Sequence, residues 1–135
     1  MFDILKGKRV FIIEDKVTNL TVMQLLLEQY GVVIGFERWG MDTVPRLLKF
    51  QPIDLILLDL MFPRGVSGYD VFDKIREEAG FAAVPIVAVS AGDASSVIPR
   101  LRGKGFSGFI AKPIEYEAFP RQVAELLIGG EVWES

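Results

Sequence analysis

Five polar side chains each follow a short apolar run of the sequence, and together they have the chemistry of a cation and anion site. In chain order they are Glu14, Asp15, Asp59, Ser90 and Lys112. Three carboxylates held close together raise one another's pKa unless cations lie among them. Lys112 supplies one positive charge, and a divalent ion would supply the rest. Because all the candidate ligands are oxygens, the set favours a hard ion such as Mg²⁺ over zinc.

A cation next to an acidic cluster, a lysine and a hydroxyl is a receptor for a phosphoryl group. The positive charges neutralise the charge that spreads over the phosphoryl oxygens during transfer. One carboxylate would be the nucleophile and would form an aspartyl phosphate. Ordinary roles also exist, since acids form turns at strand ends, Asp15 would cap a helix, and Ser90 would be a turn serine. The combination of all five favours the chemical interpretation.

The apolar runs before these residues predict five β-strands. They cover Val10–Ile13, Val32–Phe36, Ile53–Leu58, Ile86–Val89 and Gly108–Ala111. The segment Leu55–Leu58 is apolar at every position, which is typical of a strand covered on both faces in a parallel sheet. Ligands of such sheets bind beyond the carboxyl ends of the strands. We therefore expect the five polar side chains to meet at one edge of the sheet.

Apolar residues at helical spacing predict a helix after each strand. The first carries Leu20 to Tyr30, and the others cover Asp42–Phe50, Ser67–Ala79, Ala94–Arg102 and Glu115–Ile128. Thr18 or Asn19 is the predicted cap of the first helix and Ser67 that of the third. Pro99 is expected to shorten or kink the fourth helix, since an internal proline costs about 3 kcal/mol. Alternating strands and helices predict an α/β fold with one parallel sheet.

Composition excludes several classes of function. The chain has 135 residues, a net charge of −3, and neither histidine nor cysteine. A Ser-His triad and a thiolate metal site are therefore absent. The lack of a basic stripe argues against nucleic-acid binding, and no apolar run approaches the roughly 18 residues of a membrane span. We expect a cytoplasmic protein with one domain over residues 1–130, a short tail over residues 131–135, and no effector domain.

Four blocks of the sequence, in order and in register, resemble the signatures of the receiver domains of two-component response regulators. They are Val10-Phe-Ile-Ile-Glu-Asp15, Leu57-Leu-Asp-Leu-Met-Phe-Pro63, Val87-Ala-Val-Ser-Ala91 and Phe109-Ile-Ala-Lys-Pro113. The type that the chain resembles is the single-domain chemotaxis regulator. The resemblance implies a flavodoxin-like (βα)5 fold, with a doubly wound parallel sheet of five strands in the order 2-1-3-4-5.

The resemblance assigns the metal and the phosphoacceptor to particular positions. Asp59 matches the phosphoacceptor, and Asp15 matches the residue that binds Mg²⁺ directly. Glu14 matches the acid that reaches the ion through water. The backbone carbonyl of Met61 would complete the protein ligands.

It also assigns the residues that bind the phosphoryl group and transmit its presence. Ser90, Ala91 and Lys112 match the phosphoryl-binding hydroxyl, small residue and lysine of the family. Ser90 and Phe109 match the two switch positions, and Pro113 matches a structural cis-proline.

The implied function is that of a stand-alone response regulator rather than an enzyme, beyond catalysis of its own phosphorylation and dephosphorylation. A sensor histidine kinase or phosphotransfer protein would donate the phosphoryl group, and a downstream effector protein would be bound; a homodimer is left open. One alternative is a receiver-like interaction module without phosphorylation. Another is a phosphohydrolase with an aspartate nucleophile, but such enzymes need a second acid where Met61 stands.

Two segments depart from the family pattern. There is one residue more than usual between Pro63 and Gly68, which affects the loop over the acidic edge. Pro99 lies in the fourth helix, on the face that receiver domains commonly use for output. The effect of both on function is open at this stage.

Overall fold

Six parallel strands form a single sheet in the computed structural model, which describes residues 3–134 and, of Glu134, only the backbone. The strands are Arg9–Ile13 (β1), Val33–Glu37 (β2), Leu55–Leu58 (β3), Ile86–Ser90 (β4), Gly108–Ala111 (β5) and Val132–Glu134 (β6). Their spatial order is β2-β1-β3-β4-β5-β6. The predicted order 2-1-3-4-5 is confirmed, but the prediction of five strands missed β6, which lies in the segment expected to be a tail.

Five α-helices connect the strands. They are Val17–Glu28 (α1), Thr43–Phe50 (α2), Gly68–Glu77 (α3), Ala94–Lys104 (α4) and Ala118–Leu127 (α5). Single turns of 3₁₀-helix cover Asp3–Leu5, Pro63–Gly65 and Ala79–Phe81. The helices lie close to their predicted positions, because the apolar periodicity that defines them is also the face that they bury.

The helices α3 and α1 differ in whether a side chain caps their first turn. The hydroxyl of Ser67 accepts a hydrogen bond from the backbone N–H of Tyr69, so the predicted cap of α3 is confirmed. The predicted cap of α1 is wrong, because the helix starts at Val17 after Lys16 and has no side-chain cap. Thr18 and Asn19 already lie inside its first turn. A hydroxyl or amide at the right distance from an apolar stripe is therefore not sufficient to place a helix start.

Pro99 lies inside α4, which continues on both sides of it from Ala94 to Lys104. The proline has no N–H to donate to the carbonyl of Ser95, one turn earlier. The rest of α4 is held by a side-chain cap from Asp93 and by a left-handed Gly105, with φ of 99°, at its end. The expected shortening of this helix is thus not observed.

The sheet separates two apolar cores. One core packs α1 and α5 on one face through Leu20, Met23 and Phe119. The other packs α2, α3 and α4 on the opposite face, with Phe72 and Leu101 among its members. Because side chains alternate along each strand, every strand of the sheet's middle contributes to both cores. This burial makes the sheet a rigid base for the loops at its edge.

None of the helices within residues 3–134 has the length and apolar character to cross a lipid bilayer.

Candidate functional site at the carboxyl edge of the sheet

The residues that follow β1, β3 and β5 each donate a backbone hydrogen bond to the last residue of a neighbouring strand. The N–H of Asp59 donates to the carbonyl of Ile13, at 3.0 Å, and the N–H of Lys112 donates to the carbonyl of Ser90, also at 3.0 Å. The N–H of Glu14 donates to the carbonyl of Glu37 at 3.1 Å. The sheet therefore delivers the polar residues that follow its strands to one edge.

Three carboxylates meet at this edge. Glu14, Asp15 and Asp59 each offer an oxygen atom, and these atoms all lie within 4.8 Å of one another. Glu14 and Asp59 are buried, and Asp15 is half-buried. Such a spacing is repulsive in the absence of positive charge, so the arrangement calls for cations.

Lys112 supplies one of these cations. Its ammonium nitrogen lies 2.5 Å from Oε1 of Glu14 and 3.1 Å from Oδ2 of Asp59. The contact with Glu14 is a close ion pair in which Oε1 is buried. The other oxygen of Glu14 accepts the backbone N–H of Lys16 at 3.1 Å. One buried carboxylate oxygen is thus left with capacity for a further positive partner.

Burial and charge shift the pKa values of both members of this pair. Burial raises the pKa of Glu14 above its ordinary value, and the negative charge of Asp59 adds to that effect, while Lys112 opposes it. Burial alone would lower the pKa of Lys112, but the carboxylates of Glu14 and Asp59 outweigh it and raise that pKa. Lys112 is therefore positively charged, and Glu14 holds its charge at a cost that a bound cation would relieve.

Asp59 is held by contacts on both of its carboxylate oxygens. Oδ1 accepts the backbone N–H of Met61 at 3.3 Å, and Oδ2 pairs with Lys112. The start of α3 lies against the backbone that follows, where the N–H of Gly68 donates to the carbonyl of Leu60 at 2.9 Å. A Cβ atom at Gly68 would collide with the backbone of Asp59 and Leu60. Only glycine therefore permits this approach of helix to strand end.

The loop between Asp59 and α3 contains a sharp turn. Arg64 and Gly65 both have positive φ, 64° and 73°. The turn is closed where the N–H of Phe62 donates to the carbonyl of Val66 at 3.2 Å. Met61 and Ser67 face each other in an antiparallel bridge. The positive φ angles are thus confined to the tip of the loop, and its two ends are paired with each other.

The remaining predicted residues lie on β4 and β5 and in the loops after them. Ser90 is buried and its hydroxyl accepts the N–H of Gly92 at 3.3 Å, whereas Ala91 is exposed. Phe109 is fully buried within the core that faces α4. The peptide bond between Lys112 and Pro113 is cis. Ser90, Ala91, Lys112 and Pro113 thus lie at or next to one edge of the sheet, whereas Phe109 lies within β5 and in the core.

Comparison with known proteins identifies the family. The profile of the response regulator receiver domain matches residues 10–124. The chain belongs to the response regulator receiver domains.

Relatives of known sequence agree with this family. The receiver domain is 34% identical over 113 residues to the peroxide stress-activated histidine kinase mak1 of Schizosaccharomyces pombe, covering 80% of this chain but only 7% of that protein. It is 29% identical over 120 residues to the polar-differentiation response regulator DivK of Brucella ovis, covering 89% of this chain and 96% of DivK. Neither alternative function considered above gains support from these relatives.

Solved structures agree on the fold. The non-phosphorylated receiver domain of the stress response regulator RcsB from Escherichia coli superimposes with a TM-score of 0.81 at 19% identity, covering 96% of this chain and 100% of that one. The chemotaxis response regulator CheY4 of Vibrio cholerae superimposes with a TM-score of 0.77 at 17% identity, covering 90% and 99%. The flavodoxin-like fold predicted from the sequence is thereby confirmed.

Two residues that support the acidic edge of this receiver domain were not selected from its sequence. Glu37 ends β2 and is buried, and its carboxylate accepts hydrogen bonds from the N–H groups of Trp39 and Gly40 and from the hydroxyl of Thr43. Arg38 donates through Nη2 to the carbonyl of Asp15 at 2.9 Å. The signal for Glu37 was present, since it too is an acid directly after an apolar run.

The donor set of the receiver domain fits a hard divalent cation. Its carboxylates are close enough to share one ion, and Oε1 of Glu14 is buried. Hard cations such as Mg²⁺ prefer oxygen ligands of this kind. The acidic group formed by Glu14, Asp15 and Asp59 is therefore able to bind a metal ion.

Proposed function

We propose that this receiver domain is a phosphorylation switch whose acceptor is Asp59. The observation that carries the proposal is the position of the Asp59 carboxylate, 3.1 Å from the Lys112 ammonium and in reach of the acids Glu14 and Asp15. A carboxylate that lies next to a cation and within an acidic cluster can act as a nucleophile and become an acyl phosphate. The family membership of the chain supports the same assignment.

In the proposed reaction, a carboxylate oxygen of Asp59 attacks the phosphorus atom of a phosphohistidine on a partner. The new oxygen–phosphorus bond forms as the bond from phosphorus to the imidazole nitrogen breaks, and the electron pair of that bond stays on the nitrogen. Because these 135 residues contain no histidine, the phosphohistidine lies outside them. We propose a sensor histidine kinase or a phosphotransfer protein.

Glu14, Asp15 and Asp59, with the backbone carbonyl of Met61, would hold a Mg²⁺ ion that neutralises the transferred phosphoryl group when bound. Lys112 would supply a further positive charge to the phosphoryl group. Its ammonium is already next to Asp59 and its raised pKa keeps it charged, so it can pair with a phosphoryl oxygen without reorganisation. The receiver domain thus contributes the nucleophile and the positive charges, and the donor contributes the phosphoryl group.

The switch follows from the charge that phosphorylation adds. The new phosphoryl group attracts the hydroxyl of Ser90, with Ala91 leaving room for it. Movement of Ser90 changes the space next to Phe109, which lies on the adjacent strand β5. The surface formed by β5 and its neighbouring helices then changes shape, and a downstream effector protein binds there. This is a two-state element biased by a local change of charge.

Labelling with radioactive acetyl phosphate and Mg²⁺ tests the proposal. The wild-type chain is expected to acquire an acid-stable, base-labile label that the variant Asp59→Asn lacks. Asp70→Asn is the matched control, because Asp70 is an exposed acid in the first turn of α3. Undiminished labelling of Asp59→Asn would overturn the assignment of the acceptor, and loss of label in both variants would show that the loss reflects general damage.

A further inference from the structure

Strand β6 covers the outer edge of β5, where the predicted fold would end. Val132 lies in register with Gly108, and Trp133 with Phe109. Val132 is buried, and its carbonyl approaches Gly108 so closely that a Cβ atom there would collide with it. The hydrogen-bonding groups on this edge of β5 are therefore occupied by the chain itself. A bare edge would offer them to another strand.

Trp133 extends this cover over the neighbouring helix. It is half-buried and packs against the core that contains Phe109. The guanidinium of Arg102 on α4 lies 4.2 Å from the centre of the Trp133 ring, and the indole N–H donates to Glu131 at 3.0 Å. Trp133 also forms one wall of a groove of about 530 Å³ whose other side is α4, including Ile98 and Pro99. One aromatic side chain thus links β6, α4 and the core beneath β5.

The attachment of β6 is small for a strand in a sheet. It has three residues and follows an exposed turn in which Gly129 has φ of 89°. Short strands with few buried contacts open at a low free-energy cost compared with the whole domain. Two of its three side chains, Val132 and Trp133, carry the apolar contact. Loss of either contact therefore shifts the equilibrium from the state in which β6 is paired with β5 towards the state in which β6 is detached.

We propose that β6 is a displaceable cover over a docking surface formed by the edge of β5 and by α4, and that this surface takes an extended partner segment with the pattern acidic–apolar–aromatic. The pattern is that of Glu131, Val132 and Trp133, which already lie against this surface. A partner strand that pairs with β5 would replace β6 bond for bond. The basic residue Arg102 adds preference for an acidic segment.

Control of β6 by phosphorylation of Asp59 rests on the proposed function. Phe109 shares its register position and its face of the sheet with Trp133, so any movement of Phe109 alters the packing beneath the cover. Phosphorylation is therefore expected to weaken β6. By thermodynamic reciprocity, opening β6 then strengthens binding of a phosphoryl group at Asp59 by the same factor.

A labelled peptide with the sequence of residues 128–134 tests the docking surface without any phosphorylation. The variant Val132→Lys places a charge in the buried position of β6 and leaves β5 and α4 unchanged. It is expected to bind the peptide about tenfold more tightly than the wild-type chain in fluorescence anisotropy. Val33→Lys is the matched control, because Val33 is exposed on the opposite edge strand. Equal binding to all three chains, or to none, would overturn the proposal.

Hydrogen exchange of the wild-type chain gives a second test that does not depend on the folding of a variant. With Mg²⁺ and beryllofluoride, the amides of residues 132–134 are expected to exchange about fivefold faster, and those of β2 at an unchanged rate. If beryllofluoride binds and β6 stays equally protected, control of the cover by Asp59 is overturned while the proposed function stands. If beryllofluoride does not bind, the proposed function fails, and the peptide experiment alone decides whether β6 is a cover.

Discussion

The ammonium nitrogen of Lys112 lies 2.5 Å from Oε1 of Glu14, a carboxylate that is 1% exposed. Lys112 is thus shared between this buried acid and the proposed acceptor Asp59, rather than paired with the acceptor alone. Removing one partner of a buried ion pair leaves an uncompensated charge in the interior, which costs far more than losing a surface pair. The stability of the metal-free protein therefore depends on Lys112.

The variant Lys112→Met is expected to lose about 3 kcal/mol of unfolding free energy in EDTA, because the carboxylate of Glu14 is left without its cation. Urea denaturation measures this loss. Lys104→Met is the matched control, since Lys104 pairs with the exposed Asp73 at 2.9 Å and should change the free energy by less than about 1 kcal/mol. Equal losses in both variants would contradict the central role of Lys112.

The raised pKa of Glu14 predicts a particular dependence of stability on pH. A carboxyl whose folded pKa lies above its ordinary value of 4.5 binds more protons in the folded state than in the unfolded state. The wild-type chain in EDTA is therefore expected to gain stability, relative to Glu14→Gln, as the pH falls from 7 through the folded pKa towards 4.5. Above that window the difference in unfolding free energy between the two chains is expected to level off.

Comparing urea midpoints of the two chains across this range cancels the titration of all other groups. Addition of Mg²⁺ at pH 7 is expected to stabilise the wild-type chain more than Glu14→Gln, because the ion offsets the buried charge. A stability difference between the chains that does not vary with pH would be inconsistent with a raised pKa at Glu14.

Gly68 is expected to be essential for the geometry next to Asp59. In Gly68→Ala the new methyl group meets the backbone of Asp59 and Leu60, so either α3 or the acceptor loop must move. Overpacking of this kind costs about 1–3 kcal/mol, and acetyl phosphate labelling should fall as well. Gly103→Ala, in α4 with open space around it, should instead stabilise by about 0.5–1 kcal/mol. Thermal denaturation that moved both variants in the same direction would refute this reading of Gly68.

Trp39 is expected to report metal binding by its fluorescence. Arg38 donates to the carbonyl of Asp15 and lies 4.5 Å from the centre of the Trp39 ring, so a shift of Asp15 towards an ion moves a charge over the indole. Titration with Mg²⁺ should change the emission of the wild-type chain and of Trp133→Phe. Trp39→Phe should lose the change. A response that followed Trp133 instead would show that the ion acts through β6.

The acidic edge could be predicted because its residues are encoded by position along the chain. An apolar run predicts a buried parallel strand, and the residue after it must then lie at the carboxyl edge. Asp59 and Lys112 were identified in this way although 53 positions separate them. The same reasoning would have selected Glu37, which also directly follows an apolar run.

Other features were decided only by tertiary contacts. Val132 and Trp133 form too short a run for any periodicity, and they became a strand because β5 had an unpaired edge and Gly108 left room beside it. α1 starts at Val17 without a side-chain cap, and Val17 itself is exposed, so neither a cap nor burial of its first residue marks this start. Sequence patterns determine which faces of the helices and strands are buried, because the spacing of apolar residues follows from local backbone geometry. The partner of a strand edge, a charged side chain or a loop depends instead on which residues the rest of the fold places next to it.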